Sequence, residues 1–200
     1  MSAIAVVDYK AGNLTSVMKA LEAVGANATV TDDPEVVRRA TKIVLPGVGH
    51  FSATKFLEER GLRQAIEERI NVGVPFLGIC VGLQWLFRGS TEDSESQGLG
   101  AFDSICDRFT EGKKIPHVGW NSLTVKDGSH LLRGVETGDF VYFTHSYRAP
   151  VIHDTVAITE YAEAFTAAAE RGNVMGVQFH PEKSGAVGLR ILSNFVEFSC

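Results

Sequence analysis

The chain has 200 residues, 44% of them hydrophobic and 22% charged, with a formal net charge of -5. This is ordinary for a soluble globular protein, and the length suits one domain, residues 1–200, with a sizeable core. The acidic balance argues against nucleic acid or an anionic membrane surface as partner, no apolar run is long enough to span a bilayer, and the N-terminus shows no signal-peptide pattern. The cysteines, Cys80, Cys106 and Cys200, are odd in number and widely spaced. That is neither a disulfide framework nor a zinc spacing, and it fits a reducing cytoplasm.

Ala3–Val7 is apolar throughout and reads as a central strand, followed by the polar turn Asp8–Asn13. Leu14 to Val24 has helical spacing and stops at Gly25. Ala28 to Thr31 is a second strand, and Asp33-Pro34 opens a short helix to Ala40. Lys42 to Leu45 is a third strand, running into Pro46-Gly47-Val48-Gly49-His50-Phe51. Helices are expected over Ser52–Glu59 and Leu62–Asn71, then a strand at Val74–Leu77 and a helix over Leu83–Phe87. This alternation predicts a mostly parallel α/β sheet with helices on both faces and a site at the carboxyl ends of the strands. Gly89–Gln97 reads as a solvated acidic loop. Short strands follow at Phe102–Phe109, Val118–Val125, Phe140–Thr144 and Val156–Glu160, expected to extend the main sheet with antiparallel partners. Ala186–Phe198 closes as a helix.

Gly78-Ile79-Cys80-Val81-Gly82 places a lone Cys at a strand-to-helix turn with Gly two residues away on both sides. Such a turn lifts the sulfur above the sheet toward solvent, at a helix start that favours thiolate, and the Val81 N–H can hold an oxyanion. For a Cys at random, simple burial is the commoner explanation. A nucleophile needs a base. Met175–Phe179 is strand-like, His180 stands at its end, and Pro181 presents Glu182 two residues on. Imidazole and carboxylate complete the set that nucleophilic catalysis requires. The remaining histidines lack metal-ligand spacing.

With Cys80 in an elbow and His180-Pro181-Glu182 near the C-terminus, the chain resembles the class I (triad) glutamine amidotransferases over its whole length. Asp8-Tyr9, Gly12-Asn13-Leu14, Pro46 to Phe51, Pro116 to Asn121, His145 to Arg148 and Gly176 to Ser184 make it similar to one branch of them, the glutaminase subunits of imidazole glycerol phosphate synthases. The resemblance implies a flavodoxin-like fold and cleavage of L-glutamine by a Cys80-His180-Glu182 triad. It implies an oxyanion hole from Val81 and the Val48-Gly49 segment, and substrate contacts at Gly49, Gln84, Glu92, Ser146 and Tyr147. It implies no cofactor and no metal. The partner it implies is a (β/α)8-barrel cyclase subunit, in a heterodimer that receives the ammonia through a surface including Asn13, Trp120, Tyr142 and Lys183. Three other readings stand beside it: a glutaminase serving anthranilate or pyridoxal phosphate synthesis, a cysteine peptidase or stress-protein-like hydrolase on a similar sheet, and a catalytically silent binding module, which intact Cys80, His180 and Glu182 argue against.

Overall fold

Residues 3–110 and 114–199 are described by a computed structural model; Cys200 lies outside them. Ile4 to Val7 are apolar and almost wholly buried, so they form a strand flanked on both sides, β1 (Ala3–Val7). The chain then alternates through α1 (Leu14–Ala23), β2 (Asn27–Thr31), α2 (Pro34–Arg39) and β3 (Lys42–Gly47). Asn13 caps α1 by accepting the Ser16 N–H at 3.4 Å, and Asp33 caps α2 by accepting the Glu35 N–H at 2.8 Å. A 3-10 turn, Phe51–Thr54, leads into α3 (Lys55–Glu59) and α4 (Leu62–Asn71).

The next strand, β4, is Phe76–Cys80, later than expected, and it runs directly into α5 (Val81–Trp85). Helix therefore ends before Phe87, which starts β5 (Phe87–Ser90). Leu83, Trp85, Leu86 and Phe87 are all buried, and an apolar run buried on every side carries no period to separate helix from strand.

β6 (Asp93–Gln97) pairs antiparallel with β5, so Gly89–Gln97 is a hairpin and not a solvated loop. Its polarity misleads because part of its polar set is satisfied within the protein, while Thr91, Ser94, Glu95 and Gln97 stay exposed. Lys55 Nζ lies 3.1 Å from Asp93 Oδ2, and the buried Ser96 hydroxyl donates to the same carboxylate at 2.6 Å.

The remaining elements are β7 (Phe102–Arg108), β8 (His117–Ser122), β9 (Thr124–Val125), β10 (Phe140–His145), β11 (Tyr147–Arg148), β12 (Thr155–Tyr161), β13 (Glu163–Arg171), β14 (Val174–Val177) and α6 (Gly185–Glu197). An eight-stranded sheet has the order β2-β1-β3-β4-β14-β13-β12-β9. From β2 to β14 it is parallel, and beyond β14 it is antiparallel. The expectation that the later strands all join this sheet is corrected: β8 and β10 form a separate two-stranded ribbon, and β11-β7-β5-β6 a separate sheet. β13 was not anticipated. Its alanines, Ala164 and Ala167 to Ala169, have little strand propensity, yet the last three are fully buried between β12 and β14.

Candidate active site

Sheet register assembles the site. Cys80, the last residue of β4, is the register partner of Gly47 at the end of β3. On the other side Ile79 partners Val177, the last residue of β14, so Gln178 emerges beside Cys80. Cys80 has φ 54° and ψ -105°, a strained backbone for a residue with a side chain. The glycines on either side provide space: a Cβ at Gly78 would strike the Gly82 carbonyl, and one at Gly82 the Leu45 carbonyl. The sulfur is not lifted into solvent. Cys80 is 3% exposed, at the floor of a cavity of about 230 Å³. The elbow's immediate sequel, α5, has only five residues, so the Val81 N–H matters more here than a long helix dipole.

All five expected substrate contacts, Gly49, Gln84, Glu92, Ser146 and Tyr147, line this cavity with Cys80 and Val81. Pro116, Thr144 and His145 also line it and were not among the expected site residues. Val48 is half-buried in the loop after β3, and Gly49 there has φ 100°. Glu92 Oε2 accepts the Phe51 N–H at 2.7 Å, so it fastens that loop as well as facing the cavity.

His180 follows β14, and its N–H donates to the Tyr142 carbonyl at 2.9 Å. Its Nδ1 lies 2.8 Å from Glu182 Oε1, with both side chains 1% exposed. A carboxylate only accepts, so Nδ1 carries hydrogen and Nε2 is the atom free for chemistry. Among the described residues Nε2 makes no hydrogen bond, although it is buried. Burial opposes the imidazolium, but the negative charge of the Cys80 sulfur and then of Glu182 outweighs it and holds His180 well above its ordinary pKa. Burial, with the charge of Cys80, pushes the Tyr9 phenol up. Cys106 is buried and its thiol is likewise pushed up, so it is no second nucleophile.

A chain of hydrogen bonds lies behind the sulfur. Gln84 Nε2 donates to the Tyr147 carbonyl at 2.9 Å and to Gln178 Oε1 at 3.1 Å. Gln178 Nε2 then reaches Cys80 Sγ at 3.6 Å. The same Tyr147 carbonyl accepts from His145 Nδ1 at 2.9 Å, and His145 Nε2 meets His117 Nδ1 at 3.2 Å. Burial holds the His145 pKa down at about 3, so this ring is neutral.

The residues expected at a docking surface separate into two kinds. Trp120 is 55% exposed, its ring centroid 6.1 Å from that of Tyr142, and Lys183 Nζ sits 5.8 Å over the Tyr142 ring. These three form one patch on β8, β10 and the turn after His180. Asn13 is a helix cap.

A buried Cys in a strained elbow, with a His–Glu pair beside it at the carboxyl ends of parallel strands, defines a class of hydrolytic site. The family model for class-I glutamine amidotransferases matches residues 5–198, and the chain belongs to that family. Among its curated relatives is the imidazole glycerol phosphate synthase subunit HisH of Aquifex aeolicus, 49% identical and aligned over 95% of this chain and 94% of that one. The subunit HisH of Carboxydothermus hydrogenoformans is 48% identical over 96% of this chain and 98% of its own. A solved glutamine amidotransferase shares the fold with a TM-score of 0.76 at 18% identity, covering 97% of this chain and 99% of that one.

Proposed function

We propose that this chain is the glutaminase subunit of an imidazole glycerol phosphate synthase, in histidine biosynthesis. The observation that carries the reading is the His180–Glu182 pair at 2.8 Å beside a cavity floored by Cys80. It occurs in a chain that aligns almost end to end with HisH subunits.

In this reading the Cys80 thiolate adds to the carboxamide carbon of L-glutamine. The oxyanion is held by the Val81 N–H and by an N–H of the Val48-Gly49 segment. His180 Nε2 protonates the departing nitrogen, the C–N bond breaks, and ammonia leaves a glutamyl thioester. Water, giving its proton to His180, cleaves the C–S bond and releases glutamate. Glu182 fixes the tautomer. Glu92 receives the substrate α-ammonium. Gln84 has both amide hydrogens committed, so it meets substrate through its oxygen. Gly49, Ser146 and Tyr147 complete the pocket wall.

The HisH relatives are named as subunits of a synthase, and in this reading the ammonia acceptor is a separate cyclase subunit with a (β/α)8 barrel. Trp120, Tyr142 and Lys183 form part of the docking face, and Asn13, at the start of α1, is assigned to it as well. No helix among the described residues is long and apolar enough to cross a membrane, and we place the heterodimer in the cytoplasm. The test is glutamate release by the chain alone, with a cyclase subunit, and with cyclase plus its ribonucleotide substrate. Glutamine turnover that rises with the loaded partner is expected. Peptide cleavage without glutamine turnover would overturn the reading.

A further inference from the structure

We propose that Gln178 is a further catalytic residue of this site: its side-chain amide donates a hydrogen bond to the Cys80 sulfur and stabilises the thiolate together with His180. The proposal rests on the glutaminase reading for its chemistry, and on four observations for its geometry.

The register puts Gln178 level with Cys80, because Val177 of β14 partners Ile79 of β4 and each chain continues by one residue. Gln178 and His180 stand two residues apart in the bend that leaves β14, where the His180 ring and the Gln178 amide both come to the Cys80 sulfur. Gln178 is 0% exposed, and a fully buried amide needs partners for both its ends. The polarity of those partners is forced. The Tyr147 carbonyl can only accept, so the atom of Gln84 2.9 Å from it is the NH2 group. That same NH2 group lies 3.1 Å from the Gln178 amide, which must answer with its oxygen. The Gln178 NH2 group is thereby turned to Cys80 Sγ at 3.6 Å, a donor distance appropriate to sulfur. The direction does not depend on how the two amides are drawn, since a backbone carbonyl anchors the chain.

A donor there acts at two points. It stabilises the thiolate before attack. It also acts when water cleaves the thioester: the C–S electron pair returns to sulfur, and the amide meets the charge as it develops. The other titratable groups around the sulfur are His180 with Glu182 behind it, the Tyr9 hydroxyl, and Glu92 on the cavity wall. Of these His180 is the cationic donor, and the Tyr9 hydroxyl makes no hydrogen bond to the sulfur among the described residues.

The test follows alkylation of the Cys80 peptide by iodoacetamide against pH, read by mass spectrometry, in the full chain. Wild type is compared with Gln178→Met and Gln178→Glu, with kcat and KM for glutamine measured alongside and folding checked by thermal unfolding. Gln178→Met should move the alkylation profile up by about one pH unit and lower kcat about tenfold, the size expected for one lost hydrogen bond to a charged group. Gln178→Glu retains an acceptor for Gln84, offers the sulfur no donor and adds a negative charge beside it, so it should move the profile farther than Gln178→Met does. A wild-type profile in the Glu variant, despite the lost donor and the added negative charge, overturns the proposal. An unmoved profile in folded Gln178→Met does the same, and if the Met variant fails to fold the neutral variant Gln178→Ala is read in its place. The alkylation profile needs no substrate. Absent glutamine turnover in wild type would therefore count against the glutaminase reading while leaving the profile to judge Gln178.

Discussion

The carboxylate of Glu92 accepts the backbone N–H of Phe51 at 2.7 Å, so the turn of the β5–β6 hairpin holds the loop that follows β3. One residue thus contributes a charge to the cavity and an anchor to its wall, and two substitutions separate the roles. Glu92→Gln keeps an acceptor for Phe51 and loses the charge. It should raise KM for glutamine about tenfold with kcat little changed, as expected for one lost charge-assisted contact in binding. Glu92→Ala loses both and should lower kcat too. Steady-state kinetics decide: an unchanged KM in Glu92→Gln would mean that the α-ammonium is bound elsewhere.

The positive φ of Cys80 leads to a prediction about stability. Cys80→Ala should abolish glutamine hydrolysis, keep the fold, and leave cyclisation from added ammonium salt intact in the complex. Cys80→Gly should be as inactive, yet more stable than Cys80→Ala by about 1 kcal/mol, because glycine relieves backbone strain at this φ. Urea unfolding of the two variants measures the difference. A less stable Gly variant would show that the elbow is relaxed.

Loss of the His180 ring should nearly abolish turnover. Glu182→Gln keeps an acceptor for Nδ1–H and removes a negative charge that helps hold the imidazolium. It should therefore lower kcat less than His180→Ala does, by roughly tenfold to a hundredfold. Wild-type kcat in Glu182→Gln would leave the Cys80–His180 pair acting alone.

His145 makes stability depend on acid. Its folded pKa is held near 3, while an unfolded His titrates near about 6.5. Between these values the unfolded chain binds more protons, by about one from this ring, so stability rises with pH there. Acidification below pH 6.5 should lower the urea midpoint progressively. His145→Gln should flatten this part of the profile, and an unaltered slope in that variant would assign the acid sensitivity to other groups.

The Gly49 backbone, at φ 100°, lies at the second oxyanion donor of the proposed mechanism. A peptide between glycines can reorient at low cost, and in the proposed heterodimer a nucleotide bound to the partner would select one orientation. Loss of one oxyanion donor lowers kcat roughly a hundred- to a thousandfold, and the free chain should be slower than the acceptor-loaded complex by that order. The increase should lie in kcat. Gly49→Ala, disfavoured at this φ, should reduce the stimulation while complex formation persists. Equal kcat for free chain and loaded complex would sink this account.

The parallel half of the fold was legible because Ile4 to Val7 and Ile43 to Leu45 are buried on both faces and must be apolar throughout. The elbow was legible because two glycines must flank a Cys so tightly enclosed. β13 was hidden because small alanines pack there without strand propensity, and the β5–β6 hairpin because Ser90, Ser96 and Asp93 look solvent-facing until their partners are known. Gln178 was hidden for a different reason. A single polar residue in an apolar strand reads as ordinary alternation, and only the pairing of β14 with β4 reveals what stands beside it.

That pairing also dates the enzyme's birth on the ribosome. Cys80 and the strands before it are translated well ahead of Gln178, which lies 98 residues further on. At about 5–20 residues per second the interval is roughly 5–20 s. During it β4 has an unpaired edge, and the thiol has neither its base nor its amide donor. The contact joining them closes a long loop, among the slower steps of folding. A chain cut short before β14 would carry the nucleophile as an inert thiol, and glutamine would be spared until the last strand is in place.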